Sequence, residues 1–179
     1  TGIDIDTVTF DNSRGSRSGV ATAVKLGRRN FVTISAGPQL TTMGPRVAGA
    51  AEALSAAGLP VRPTVDVIGP NTTDTARTAA YSVLDGPERP DAIFCTNNVV
   101  ALGVAEAIVE RQADVAIVSF DDFSLSSTMP VPVIVIDHDT RQMGRSAATV
   151  LFARLDDPQL APQHLRIATS IRLTGGLQR

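Results

Sequence analysis

The sequence predicts an α/β protein in which a parallel β-sheet is covered by helices on both faces. Apolar runs alternate along the chain with segments of helical periodicity, an order typical of strand–helix–strand units. The runs at Ala92–Cys95 and Val115–Phe120 are apolar enough to be strands buried on both faces, as the inner strands of parallel sheets are.

The first half of the chain is expected to contain three helices separated by two strands. In order they are a helix over Gly15–Leu26, a strand over Phe31–Ser35, a helix over Arg46–Ala57, a strand near Val65–Ile68 and a helix over Thr73–Leu84. Gly27 and Gly58 directly follow the first two helices and can adopt the left-handed conformation that ends many helices. Asp74, near the start of the third helix, complements its dipole, and Pro87 prevents its continuation.

The second half is expected to continue the alternation and to end in an extended tail. In order come a strand over Ala92–Cys95, a helix over Val99–Arg111, strands over Val115–Phe120 and Val133–Ile136, a helix over Thr140–Leu155 and a tail over Leu165–Leu173. Asn98 precedes the first of these helices and is expected to be its N-cap. The last helix has an apolar stripe that requires a partner. Its members are Met143, Ala147, Val150 and Leu151.

Composition indicates one domain with a substantial core. A chain of 179 residues can bury about 70% of the surface that its unfolded form exposes. No apolar run is long enough to cross a membrane. The net charge of −2 and the lack of a Lys/Arg cluster argue against direct contact with nucleic acid. The single cysteine, Cys95, rules out an internal disulfide and favours a cytoplasmic location.

Polar side chains follow two of the predicted strands at their carboxyl ends. Asn97 and Asn98 come after the first strand, and Asp121 and Asp122 come after the second. The carboxyl ends of parallel strands share one edge of the sheet, where open α/β folds bind ligands. Because carboxylates and amides bind hydroxyl groups well, the sequence predicts a site for a small polar molecule.

Seven segments, in order and at similar spacings from about residue 8 to residue 150, resemble the effector-binding region of the LacI/GalR family of bacterial transcription regulators. They are Phe10-Asp11-Asn12, Leu26–Val32, Arg46–Gly49, Pro90–Gly103, Ser119–Asp122, Met129–Ile136 and Met143–Ala148. The resemblance implies a three-layer fold like that of type I periplasmic binding proteins. It assigns residues 11–137 to the C-terminal effector subdomain and 138–179 to a crossover helix and tail. The family's DNA-binding domain and most of its first effector subdomain are expected to precede this chain.

The same resemblance implies a set of ligand-binding residues. They are Phe10, Asp11, Arg46, Asn97, Asp121 and His138. Arg46 follows the loop Gly37–Pro45, and in the family an arginine at this position grips effector hydroxyls or carboxylates with its guanidinium fork. Asn97 and Asp121 match effector-contacting positions at the two strand ends. Phe10 and Asp11 lie at one crossover between subdomains, and His138, just after the predicted Val133–Ile136 strand, lies at another.

Structural roles are the alternatives for these residues. They comprise a solvated position for Arg46, helix capping for Asn97 and Asp121, a core position for Phe10 and an exposed loop for His138. Asp122 is expected to cap or stabilise its own loop. His164 has no identifiable partner and is expected on the surface. Gly49-Ala50 offers only a methyl group where the family usually carries an aromatic residue, so the packing behind the site is expected to differ.

The sequence gives little support to an enzymatic function. The segment Val118–Thr128 superficially resembles a phosphoribosyltransferase loop, but Met129 stands where a glycine would let the backbone approach phosphate. Cys95 with His138 as base is a weak nucleophile hypothesis, because a cysteine in a buried strand usually acts as a small apolar residue. GxSxG, Walker and zinc-ligand spacings are missing from the sequence. No catalysis, cofactor or metal is expected.

The family resemblance implies how such a protein works. An effector, expected to be a sugar or a related metabolite, closes two subdomains and shifts a homodimer between forms that bind operator DNA strongly and weakly. Operator contact would involve only the domain that precedes this chain, with no membrane partner. The alternative is the sugar-binding protein of an ABC transporter, which shares the fold but would be exported and monomeric.

Overall fold

The computed structural model describes residues 4–37 and 40–176, so Pro38 and Gln39 of the predicted Gly37–Pro45 loop lie outside it. In chain order the elements are β1 (Thr7–Phe10), α1 (Asn12–Lys25), β2 (Phe31–Ser35), α2 (Met43–Ala56), β3 (Val65–Asp66), α3 (Thr73–Leu84), β4 (Ala92–Cys95), α4 (Asn98–Arg111), β5 (Ala116–Phe120), β6 (Pro132–His138), α5 (Thr140–Asp156), β7 (His164–Ile167) and β8 (Thr169–Gly175). The described helices include none that is both long and apolar enough to cross a membrane.

Six strands form one sheet in the order β3-β2-β4-β5-β6-β8. The pairings of β2 with β3 and β4, of β4 with β5, and of β5 with β6 are parallel. Phe31 lies opposite Ala92, which in turn lies opposite Ala116, so the central strands start level with one another. Their carboxyl ends therefore meet at one edge, as the predicted α/β fold requires.

Helices cover both faces of this sheet. Ile93 and Cys95 of β4 belong to a core cluster that includes residues of α3 and α4. Ala92 and Phe94, the alternate residues of the same strand, belong to a second cluster with residues of α1 and α2. Because side chains alternate between the faces of a strand, β4 is buried on both sides. The predicted three-layer architecture is confirmed.

The chain divides into two compact units. Unit 1 consists of the residues up to Asp11 together with His138–Thr169, and unit 2 consists of Asn12–Asp137 together with the residues from Ser170 onward. In unit 1, β1 pairs in parallel with β7, with Thr7 opposite His164, and α5 contacts both strands. Unit 2 contains α1 to α4 and most of the six-stranded sheet.

Helix limits agree with the sequence analysis to within one residue except at two N-termini. Helix α1 begins three residues earlier than predicted, at Asn12, and α2 begins three residues earlier, at Met43. Pro45 fits in the first turn of α2, where its missing N–H is not needed. Gly27 and Gly58 have φ values of 94° and 67°, which confirms their helix-ending conformation.

Strand limits differ more. The expected strand near Val65–Ile68 is reduced to Val65–Asp66, and Ile68 is 91% exposed. Strand β6 extends beyond Ile136 to His138, and the predicted tail contains β7 and β8. Strand β1 was not predicted, because its short sequence depends on pairing with a strand more than 150 residues away.

The predicted apolar stripe of α5 is only partly covered. Of its predicted members, Val150 is buried at 5% exposure, but Leu151 is 55% exposed. Phe152 and Leu155, which the predicted stripe did not include, are 64% and 65% exposed. Large apolar side chains that lie together on one helix and face water are unusual on a monomer surface. This patch, Leu151–Phe152–Leu155, is called the α5 patch below.

Candidate functional site

Helix packing brings Arg46 into the interior of unit 2. Arg46 lies in the first turn of α2, and Gly49 lies one turn further on. A Cβ atom at Gly49 would be 2.1 Å from the carbonyl oxygen of Ser13 in α1. Only glycine permits this approach, which sets the start of α1 against the start of α2. Arg46 is consequently only 7% exposed and lies beside Asn12, the first residue of α1.

Three elements hold the Arg46 guanidinium. Its Nε donates to Asn12 Oδ1 at 2.8 Å, and its Nη1 donates to the carbonyl oxygen of Thr96, just after β4, at 2.6 Å. Its central carbon lies 3.6 Å from the ring centroid of Phe120, the last residue of β5. Arginine favours such stacked positions because its planar cation is attracted to an aromatic face. The alternative of a solvated Arg46 is wrong.

Asp121 supplies the negative charge nearest to Arg46 among their described contacts. Its Oδ2 lies 3.7 Å from Arg46 Nη1, and its side chain is 25% exposed. This separation is too long for a good hydrogen bond but keeps the charges strongly coupled. Burial lowers the pKa of Arg46, and the Asp121 charge offsets part of that effect. Guanidinium remains protonated, so the site presents a cation and an anion side by side.

The backbone of Asp121 is held in an uncommon conformation. Its φ is 77°, in the left-handed region that residues other than glycine adopt rarely. Its N–H donates to the carbonyl oxygen of Ile136 at 3.1 Å, and its own carbonyl accepts from Ser119 Oγ at 2.6 Å. Left-handed backbone in a non-glycine residue persists only where its surroundings hold it, and such positions cluster at ligand sites.

Asn97 lies at the end of β4 and caps α4. Its Oδ1 accepts from the N–H of Val100 at 2.8 Å, and the residue is 8% exposed. The prediction that Asn98 is the N-cap is therefore wrong by one residue, because Asn98 already belongs to the helix. The capping bond occupies Oδ1, so the amide nitrogen is the part of Asn97 that could donate to a ligand.

The Asp122 carboxylate makes different contacts from those of the Asp121 carboxylate. Its Oδ1 accepts from the N–H of Phe123 at 2.9 Å and from Ser126 Oγ at 2.6 Å, and its Oδ2 accepts from Arg172 Nη2 at 2.5 Å. The expectation that Asp122 stabilises its own loop is confirmed. The loop lines a cavity of about 630 Å³. Its other lining residues are Thr73, Asn98, Val99, Leu102, Ser124 and Ser127.

The remaining predicted site residues belong to unit 1. Phe10 ends β1, and its ring centroid lies 3.9 Å from that of His138. His138 is the last residue of β6 and not part of a loop beyond it, because β6 is longer than predicted. Asp11 follows β1, and its N–H donates to the carbonyl oxygen of Ile167 at 2.9 Å. These three residues thus lie at strand ends, as Asn97 and Asp121 do in unit 2, whereas Arg46 lies in the first turn of α2.

His164 is exposed as expected, but it does have partners. Its Nδ1 lies 2.9 Å from Thr7 Oγ1 and its Nε2 lies 3.0 Å from Asp4 Oδ1. The pairing of β1 with β7 brings these residues together, which the sequence did not reveal. Cys95, by contrast, is fully buried, and burial raises the pKa of its thiol well above the usual range. The nucleophile hypothesis for Cys95 has no support in this environment.

Residues that the sequence analysis did not single out complete the surroundings of Arg46. Thr96 contributes a backbone oxygen, which no sequence pattern indicates, and Phe120 contributes a ring face. Asn12 was part of the Phe10-Asp11-Asn12 motif, and that motif was the available signal for it. Within the described residues, no three His, Cys, Asp or Glu side chains are grouped so that they could hold a metal ion.

Comparisons with known proteins agree with this architecture. An HTH-type transcriptional regulator, CelR of Thermobifida fusca, is 32% identical over 169 residues, which are 92% of this chain and 49% of that protein. A solved complex of the transcriptional regulator CelR with cellobiose has a TM-score of 0.83 at 26% identity, covering 94% of this chain and 53% of that one.

A regulatory protein of the LacI family from Chloroflexus aggregans has a TM-score of 0.85 at 23% identity, covering 98% of this chain and 65% of that one. The present chain spans about half the length of the curated relatives it matches. The resemblance to LacI/GalR regulators is confirmed. Residues 20–174 match the model of the periplasmic binding protein-like domain, and the chain belongs to that family.

Proposed function

We propose that this chain is the larger part of the effector-binding region of a LacI-type transcription regulator and that it binds a small polyhydroxylated molecule, most simply a sugar. The observation that carries the proposal is the buried Arg46 with Asp121 beside it at the carboxyl ends of β4 and β5. A cation and an anion held there provide both donors and acceptors for vicinal hydroxyl groups.

Each residue has a distinct chemical role in this proposal. The Asp121 carboxylate accepts hydrogen bonds from ligand hydroxyls, because a charged acceptor binds them more strongly than a neutral one. Arg46 is held by Asn12, Thr96 and Phe120, so it donates from a fixed position with little loss of side-chain entropy. Asn97 donates through its amide nitrogen while its oxygen caps α4.

The relatives support the class of ligand and of protein. CelR was solved with cellobiose, a disaccharide, and the curated relatives are named as transcription regulators rather than enzymes or transport proteins. Regulators are therefore favoured over the sugar-binding protein of an ABC transporter. We extend the family's other features to the whole protein as proposals: a cytoplasmic homodimer that contacts operator DNA through a part outside this chain.

The assignments in unit 1 remain predictions from the family motifs. Phe10 would stack on the ligand, while Asp11 and His138 would bind its polar groups. The contact between the tilted rings of Phe10 and His138 is compatible with these roles, because it places an aromatic ring and an imidazole together. The division into an effector subdomain over residues 11–137 and a crossover helix and tail over 138–179 is likewise a proposal.

Calorimetric titration of the intact gene product with cellobiose and a panel of mono- and disaccharides tests the proposal. We expect Asp121→Asn and Arg46→Lys to weaken binding of the preferred sugar by about tenfold to a hundredfold. The first removes a charged acceptor and the second removes the fixed guanidinium fork, and a charge-assisted hydrogen bond is worth about 1.5–3 kcal/mol. Asp114→Asn is the matched control, because Asp114 is 84% exposed and pairs only with Arg28 among its described contacts.

A mobility-shift assay on the same proteins separates ligand sensing from DNA binding. Without sugar, the Asp121→Asn protein should bind operator DNA as the wild type does but should respond less to sugar. This chain alone should give no sequence-selective shift, given its net charge of −2. Sugar affinity that is equal in the wild type, Asp121→Asn and Arg46→Lys would show that the ligand binds elsewhere.

A further inference from the structure

Arg172 is a charged residue that the family motifs do not include and that contacts the loop carrying the proposed site. It lies on β8, beside β6 in the six-stranded sheet. Its Nη2 donates to Asp122 Oδ2 at 2.5 Å, and its Nε donates to Asp137 Oδ2 at 3.4 Å. One guanidinium thus joins the loop after β5 to the end of β6.

The Asp122 carboxylate that Arg172 contacts also binds residues of the loop. Its other oxygen accepts from the N–H of Phe123 and from the hydroxyl of Ser126, which is 4% exposed. The carboxylate therefore stabilises the first turn of the loop, and Arg172 links that carboxylate to the sheet. Without the cation, two carboxylates near the same edge would lose their shared counter-ion.

Asp121 is the residue directly before Asp122, and its conformation depends on its neighbours. Its left-handed backbone is held by the bond from its N–H to Ile136 and by the bond from the Ser119 hydroxyl to its carbonyl oxygen. Beyond that carbonyl group, the next described anchor along the chain is the Asp122 carboxylate, which Arg172 holds. The backbone conformation that places the Asp121 carboxylate beside Arg46 therefore depends in part on Arg172 of β8.

We infer that Arg172 is a positioning residue for the ligand site: through Asp122 it holds the turn at Asp121, so that the Asp121 carboxylate stays beside Arg46. The inference rests on the proposed function of Asp121 as a ligand acceptor. In this role Arg172 acts through the turn and not through a contact with the ligand. It determines affinity by limiting the conformations of the turn.

Hydrogen exchange and calorimetry on the intact gene product test this role. We expect Arg172→Gln to speed amide exchange in residues 121–128 while exchange in α3 is unchanged, and to weaken binding of the preferred sugar by roughly two- to fivefold. Arg172→Lys keeps the charge without the fork and should recover part of the loss. The effects of Arg172→Gln and Asp122→Asn on sugar affinity should be non-additive in a double-mutant cycle, because both substitutions remove the same contact.

Arg89→Gln is the matched control. Arg89 is an exposed arginine that precedes the amino end of β4, whereas the proposed site lies at the carboxyl end of that strand. If Arg172→Gln does not fold, Arg172→Lys serves for the same comparisons. Sedimentation of every variant excludes a change in assembly as the cause. Unchanged exchange over residues 121–128, or equal sugar affinity in the Arg172→Gln and Arg89→Gln proteins, would overturn the inference. If the wild type binds no sugar, the proposed function fails, and the exchange measurement still decides whether Arg172 holds the turn.

Discussion

Gly49 and Ser13 are in backbone contact, since a Cβ atom at Gly49 would lie 2.1 Å from the Ser13 carbonyl oxygen. The contact determines where α2 crosses α1, and Arg46 lies one turn before it on α2. The position of the buried guanidinium therefore depends on a residue that has no side chain. A close approach of backbones can specify a ligand site as firmly as a side-chain contact does.

Gly49→Ala should lower the free energy of unfolding by about 1–3 kcal/mol, because the added methyl group forces α1 and α2 apart. It should also weaken sugar binding by displacing Arg46. Gly44→Ala in the same helix is the control, because its Cβ would meet nothing within 4 Å. Urea unfolding measures the stability of both variants, and calorimetric titration measures their sugar binding. Equal stability of the two variants would contradict this packing.

Asn97→Ala should lower the free energy of unfolding by about 1 kcal/mol, since it removes the side-chain cap of α4. Asn97→Asp should retain the cap. Asn98→Ala changes a neighbouring exposed residue inside the helix and should alter stability by less than about 0.5 kcal/mol. Thermal unfolding of the three variants gives the comparison. A larger loss from Asn98→Ala than from Asn97→Ala would place the cap at Asn98 after all.

Unit 1 should lose stability in acid through Asp6. The Arg154 guanidinium donates to both Asp6 oxygens at 3.0 Å, and with the Gln163 N–H it lowers the pKa of that carboxyl. A depressed carboxyl pKa stabilises the folded state above the unfolded pKa of about 4, and the contribution is lost as pH falls through the folded pKa. Asp6→Asn should therefore reduce the melting temperature at pH 7 and differ progressively less from the wild type towards pH 3.

Melting curves followed by circular dichroism between pH 7 and pH 3 check this dependence. Asp156→Asn provides the comparison, because Asp156 is an exposed carboxylate of the same unit. A deficit in the Asp6→Asn protein that stays constant across this pH range would show that the Arg154 pair makes no ionic contribution to folding.

This chain should self-associate in solution through the α5 patch. Phe152→Gln combined with Leu155→Gln should shift the sedimentation coefficient towards that of the monomer, because both side chains are more than half exposed. Their replacement should leave the free energy of unfolding nearly unchanged. Val150→Gln on the same helix should instead destabilise the protein, since Val150 is buried. A wild-type chain that stays monomeric across a wide concentration range would refute the expectation.

Local patterns were sufficient to predict much of this fold. Phe31–Ser35, Thr73–Leu84 and Ala92–Cys95 have the predicted limits, because apolar runs and strong helix boundaries define them without reference to the rest of the chain. Strand β1 was not predictable in the same way. It has only four residues, and its pairing partner β7, part of the predicted extended tail, is far away in sequence.

The candidate site was also only partly predictable from the sequence. Polar residues after two predicted strands indicated Asn97 and Asp121 as site residues, and the match to the family motif indicated Arg46. The partners of Arg46 could not be predicted, because a backbone oxygen of Thr96 and the ring of Phe120 reach it only through helix and sheet packing. Two adjacent asparagines also satisfy the same capping rule, so the choice of Asn97 over Asn98 depended on where the helix begins.

Three peptide connections, at residues 11–12, 137–138 and 169–170, pass between the two units, so neither is a continuous stretch of chain. A gene fragment that ends before residue 170 would still encode α1 to α4 but would omit most of β8. Strand β6, whose residues Val133–Ile136 are fully buried, would then become an apolar edge with unpaired N–H and C=O groups. Edges of that kind recruit strands from other molecules, so such a truncation favours insoluble aggregates over an isolated folded unit.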